Sequence, residues 1–320
     1  MVLNINKVKR KFWLKRCGAI LTAVIFIALM AATVSLAETV KQRTFTSPEE
    51  AVKAVIEALI SEDLNALEAI FGPGSRDLLT SGDPVADQSG RERFLKLYDE
   101  KNRLEQTADK AVLSIGNEDW PFSIPMVKKD AVWRFDPEEG REEILARRIG
   151  QNEMSVIQVC LAYVDAQREY ALKDRDSDGF LEYAQEFRSD KGMKNGLYWE
   201  VKGDEEQSPL GSLFIAAQKK GYSGKSRGGQ PVPYHGYYYR ILKGQGKDAP
   251  GGAYDYMVMG KMIGGFALAA YPAKYASSGV MTFIVNHGGA VYQKDLGLST
   301  HQSAQAMTHF NPDSTWNRLE

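Results

Sequence analysis

The chain has 320 residues, with 40 Lys and Arg against 41 Asp and Glu, and two cysteines. Six of the basic residues and none of the acidic ones precede Glu38, so the remainder holds 34 basic against 41 acidic residues, a net charge near −7. That balance argues against nucleic-acid binding, which draws its affinity from neutralised phosphates. Cys160 alone beyond the leader cannot form an internal disulfide.

The first 37 residues have the three parts of a secretory signal. A basic stretch (Lys7, Lys9, Arg10, Lys11, Lys15, Arg16) precedes an uncharged apolar run from Cys17 to Ala37, which closes on Ser35-Leu36-Ala37. Cleavage after Ala37 is expected, which places the protein in the periplasm or outside the cell. The run also approaches the ~20 residues of a membrane helix, so an uncleaved anchor is the alternative. Cys17 opens the apolar run, whereas a lipoprotein cysteine is expected after it, so a lipoprotein is not expected. Membrane contact is expected only through this segment before cleavage.

Residues 38–46 read as a polar tether. Ser47-Pro48-Glu49-Glu50 then combines an N-cap, a first-position proline and a capping-box glutamate. Ala51, Val52, Val55, Ile56 and Leu59 follow at helical spacing. Asp63 caps a second helix that Gly72 ends, a turn-rich link runs to Pro84, and 89–104 reads as a third helix. Short β-type runs follow at Ala111–Ile115, Phe122–Lys128 and Ala131–Phe135, with Lys129-Asp130 as a hairpin turn, and Glu138–Arg148 returns to helix. Trp120, Phe122, Trp133 and Phe135 are candidate core.

A long helix is expected from Asn152 to Leu172, burying Ile157, Cys160, Leu161 and Val164; Cys160 reads as an inert core thiol. After a loop-rich region come strands at Tyr237–Leu242, Gly265–Tyr271, Val280–Val285 and Ala290–Tyr292, the last two joined by His287-Gly288-Gly289. The expected class is α+β: N-terminal helices with a curved antiparallel sheet over 47–148, then a long helix on a second antiparallel sheet over 149–320.

The Ser-Pro-Glu-Glu opening and the Lys-Lys-Asp-Ala-Val-Trp-Arg-Phe hairpin at 128–135 make the first half resemble nuclear-transport-factor-2-like cones. The phrases Gly-Val-Met-Thr-Phe-Ile-Val-Asn at 279–286 and Ala-Val-Tyr-Gln-Lys-Asp-Leu-Gly at 290–297 make the second half resemble pilin-like heads, without a prepilin site or stalk. The strings at 117–125, 162–171 and 233–242, the last reading Pro-Tyr-His-Gly-Tyr-Tyr-Tyr-Arg-Ile-Leu, make nearly the whole mature chain resemble the bacterial family catalogued as domain of unknown function 2950. That resemblance implies an exported, folded protein and no particular activity.

One constellation has the spacing of a metal loop. Asp174, Asp176 and Asp178 alternate, Gly179 follows, Phe180 offers a carbonyl, and Glu182 takes the ninth place of a calcium loop. Gln185 stands where a bidentate glutamate is expected, so coordination would be weaker or closed differently. A solvated acidic turn is the bland alternative. His235, His287, His301 and His309 show no ligand spacing, and Gly224-Lys225-Ser226 lacks the earlier glycine of a phosphate loop, where Lys219 stands.

Tyr234, Tyr237, Tyr238 and Tyr239 form either a stacking surface or ordinary sheet packing. No catalytic group is nominated. The functional expectation is a non-enzymatic envelope module that binds an envelope partner or a small ligand, with calcium as its cofactor. The alternative is a hydrolase or isomerase working in a pocket of the cone.

Overall fold

The computed structural model describes residues 41–201, 203–222 and 232–319. The expected leader with its expected cleavage after Ala37, and Gly224-Lys225-Ser226, lie outside them. The described residues from Gln42 onward cluster as one compact unit. Among the described residues no helix is long and apolar enough to cross a membrane.

The first helices are α1 (Pro48–Ile60), α2 (Leu64–Phe71), α3 (Arg76–Leu79) and α4 (Pro84–Glu100). Ser47 and Asp63 cap α1 and α2 as expected, each accepting a backbone N–H three residues on. Helix α4 starts five residues earlier than expected. Asp83 caps it through Val85 and Ala86, so the Asp83-Pro84 pair is a helix start where a turn was expected. It also ends earlier, because Asn102–Gln106 leaves as strand β1.

Strand β1 pairs with β2 (Lys110–Ile115), which pairs with β3 (Trp120–Pro121) and β4 (Met126–Lys129); β4 pairs with β5 (Val132–Phe135). Every pairing is antiparallel. The β4–β5 turn is Asp130-Ala131, one residue on from expectation, and both residues have positive φ. Phe45, Phe71, Met126, Trp133 and Phe135 fill the space between α1, α2 and this sheet. Trp120 departs from the expected core: it is 48% exposed, beneath the Arg147 guanidinium. The described part of the tether is held in place. Phe45 and Trp133 exchange backbone hydrogen bonds, and Gln42 donates to the Phe135 carbonyl at 2.7 Å.

One helix of 34 residues, α5 (Pro137–Tyr170), runs where two were expected. Gly150 does not break it, because polar side chains on both sides anchor the helix. Arg148 donates to the Asp77 and Leu78 carbonyls, Asn152 to the Ser278 carbonyl, and Glu153 accepts from Val280 and Met281. These bonds outweigh the ~1 kcal/mol by which glycine trails alanine in a helix.

Beyond α5, β6 (Glu186–Arg188) and β7 (Gly196–Tyr198) pair in parallel, and α6 (Gly211–Lys219) follows. Strand β8 (Tyr237–Leu242) leads through the short pairs β9 (Gly244–Gln245) with β10 (Tyr254–Asp255) and β11 (Met257–Val258) with β12 (Lys261–Met262). Then come β13 (Ala267–Pro272), β14 (Met281–Asn286), β15 (Val291–Asp295), α7 (Thr300–Ala306) and β16 (Asn317–Arg318). The order β16-β15-β14-β13-β8 makes a five-stranded antiparallel sheet. Helix α5 packs on β13, β14 and β15. The α+β class is as expected, with a long helix on the second sheet. His287-Gly288-Gly289 is its β14–β15 turn, fastened by Asn286, whose side chain accepts the Gly288 N–H. The second core includes Cys160, Tyr163, Tyr237, Phe266 and Phe283, and burial pushes the Cys160 thiol up to about 12.

Candidate functional site

Two features beside the second core carry chemistry: the acidic loop after α5 and an aromatic cleft along β8.

In the loop, Asp174, Asp176 and Asp178 each offer a carboxylate oxygen, and the three oxygens lie within 4.8 Å of one another. These residues could hold a metal ion. The Asp174 carboxylate is collared by backbone: Oδ1 accepts from Ser177 and Asp178, and Oδ2 accepts from Gly179 at 2.8 Å. These bonds, Gly179 first, hold its carboxyl below the usual range. Asp178 Oδ1 accepts the Phe180 N–H at 3.0 Å, and the Phe180 side chain is exposed. Ser177 and Gly179 take positive φ, which is how the chain turns sharply enough to aim alternate side chains together.

Sequence spacing gave no sign of the cation already there. Lys261 Nζ lies 2.8 Å from Asp176 Oδ2 and 3.6 Å from Glu182 Oε1, and it also pairs with Asp178. Hydrogen bonds to Asp176 and then Asp178 raise its pKa. Burial raises Glu182, with Lys261 opposing. Three carboxylates thus face one ammonium, with Asp174 beside them. Gln185, at the twelfth loop position, is engaged elsewhere: it donates to Gly260 O and accepts from Lys243. Arg175 folds to the other side, its side chain 6% exposed, against Tyr170, Trp199 and Glu206.

The cleft has a volume of about 440 Å³ and lies between α5, α6 and the edge strand β8. Among the described residues β8 is the last strand of its sheet, and Tyr238 and Tyr239 both reach the cleft despite pointing to opposite faces. Tyr237 is instead fully buried and donates to Met281 O. The walls include Tyr163, Tyr222, Phe187 and Phe214. Their polar tips are already used: Tyr163 OH donates to Ala267 O, Tyr222 OH to Asp83 and Tyr239 OH to Tyr234 O. The lining adds aliphatic side chains such as Leu210 and Leu213 to these rings, together with Gln218 and Arg188. Sequence alternation in β8 predicted packing for these tyrosines and could not reveal that the strand ends the order of its sheet.

The four histidines are scattered. His235 packs on Tyr222 and Tyr234, and burial lowers its pKa. His287 Nε2 lies 3.3 Å from Tyr254 OH, His301 packs on Tyr271, and His309 contacts Thr308. In the first half a second hollow, of about 550 Å³, is bordered by Arg93, Glu100, Glu118 and Trp120. The interior beside Trp133 is filled by apolar side chains.

Comparison with curated proteins and with solved structures finds no match. A family model described as "Protein of unknown function (DUF2950)" matches residues 42–319, which takes in both sheets, the acidic loop and the cleft. The chain belongs to that family.

Proposed function

We propose that the protein is an exported binding module of the cell envelope, periplasmic or secreted, which holds a small ligand in the cleft along β8. The cleft supports this reading, since its size and aromatic lining are those of small-molecule sites. The basic, then apolar, leader supports export. On this reading the cone-like stretch 47–148 is a scaffold for the pilin-head-like stretch 149–320, which carries both the cleft and the loop. A neutral naphthalene dye such as prodan should bind with one-to-one stoichiometry. Leu213→Trp, which fills the cleft wall, should abolish that binding. A folded protein that takes up no dye, or takes it up equally in Leu213→Trp, overturns the proposal.

The acidic loop supports a second element, a calcium site formed by Asp174, Asp176, Asp178, the Phe180 carbonyl and Glu182. The excess of carboxylates over the single Lys261 ammonium favours a divalent cation. Loops of this kind outside the cell bind at ~10⁻⁴–10⁻³ M. Millimolar calcium should therefore raise the melting temperature, and Asp176→Ala with Asp178→Ala should remove the rise. No rise and no heat of binding in the unmodified protein would leave Asp176, Asp178 and Glu182 to Lys261.

A further inference from the structure

We infer that the cleft is built for a monocarboxylate with a planar or apolar body, and that Arg188 is its anchor. The inference rests on the reading of the cleft as a ligand site and names what that site selects.

Among the described residues Arg188 is the one charged residue that lines the cleft. Among the described residues it has no ion pair, and its Nε is buried without a hydrogen-bond partner. This is unusual for a guanidinium, which carries five N–H donors that water or an acceptor must otherwise satisfy. The side chain is braced: its guanidinium carbon lies 5.3 Å from the Tyr198 ring centre, and Tyr198 stacks on Phe214 at 4.2 Å with the planes 4° apart. Phe214 itself lines the cleft. Arg175, packed on the Tyr170 and Trp199 rings, also has a buried Nε without a partner, but its guanidinium has a carboxylate, Glu206. Arg188 has the rings and lacks the acid.

A ligand carboxylate would supply what is missing. Its two oxygens match the guanidinium fork, and in a cleft walled by rings the charge-assisted bonds are poorly screened. The ligand's body would lie against Tyr163, Tyr222 and Tyr239, whose hydroxyls are bonded within the protein and offer a polar body nothing. Selectivity follows from the asymmetry of burial costs. A neutral analogue leaves Arg188 Nε unsatisfied, and a cationic one adds repulsion.

The probes are naphthoate and its methyl ester, titrated by fluorescence against the unmodified protein and Arg188→Gln. Naphthoate should bind about tenfold or more tightly than the ester, the margin set by charge-assisted hydrogen bonds. Arg188→Gln should erase that margin and leave ester binding unchanged. Equal affinity for acid and ester in the unmodified protein overturns the carboxylate anchor while the cleft remains a ligand site. Binding of neither probe, with no prodan binding, overturns both readings. The acid-to-ester comparison needs no variant, so the inference stays testable if Arg188→Gln fails to fold.

Discussion

Lys261 Nζ stands 2.8 Å from Asp176 Oδ2, although 85 residues separate the two in the chain. The ammonium comes from the β11–β12 hairpin and enters the loop that follows α5. A calcium ion at Asp174, Asp176 and Asp178 would compete with it for Asp176 and Asp178. Lys261→Met should therefore tighten calcium binding severalfold in calorimetry and lower the melting temperature of the calcium-free protein. Unchanged calcium affinity would mean that ammonium and metal do not share ligands.

Two glycines in α5 make opposite predictions. A Cβ on Gly140 would lie 2.1 Å from the Ser123 carbonyl oxygen, a backbone atom that cannot swing aside. Gly140→Ala should destabilise the protein by about 2 kcal/mol or more in urea unfolding, despite alanine's better helix propensity. A Cβ on Gly150 meets nothing within 4 Å. Gly150→Ala should stabilise by ~0.5–1 kcal/mol. A destabilising Gly150→Ala would show that the helix needs its glycine for bending.

The contrast also explains what the sequence could and could not reveal. The caps at Ser47 and Asp63 are local chemistry, readable within four residues. The strands β8, β13, β14 and β15 were legible because β-type runs are bounded by turn residues such as His287-Gly288-Gly289. The continuity of α5 was not legible, since the residues that hold it across Gly150 find partners at Asp77, Ser278 and Val280. The same holds for the candidate site. Alternating aspartates announce the loop, but nothing near Lys261 in the sequence points back to it. Arg188 is likewise an ordinary residue in sequence, distinguished by having no ion pair among the described residues and by its place in the cleft wall.

Asp83 ties the start of α4 to the cleft. Its buried carboxylate caps the helix and accepts Tyr222 OH at 2.8 Å and the Gly236 N–H at 2.9 Å. Asp83→Ala loses a cap and leaves two buried donors unpaired, a cost of about 3 kcal/mol. Asp83→Asn keeps an oxygen for the cap but turns a second donor toward Gly236, so it should fall between. Because Tyr222 is a wall of the cleft, both variants should also weaken prodan binding. Full dye affinity in Asp83→Ala would show that the cleft keeps its shape without this tie.

Glu206 predicts how stability responds to acid. Lys173 first, then Arg175, holds its carboxyl at about 2, below the 4.5 of a free side chain. Lys194 completes the cationic ring at 3.5 Å. A depressed folded-state pKa means that the unfolded chain binds the proton more readily, so stability falls as the pH falls. The Glu206 contribution is fully present above about pH 4.5 and is lost as the pH drops toward 2. Its side chain is one-third exposed, so solvent screens the pairs and Glu206→Gln should cost only about 1 kcal/mol at neutral pH. In urea titrations at a series of pH values, the variant's midpoint should fall less steeply below pH 4.5 than that of the unmodified protein, and the two should converge near pH 2. Parallel curves through that range would assign the acid limb to other carboxylates.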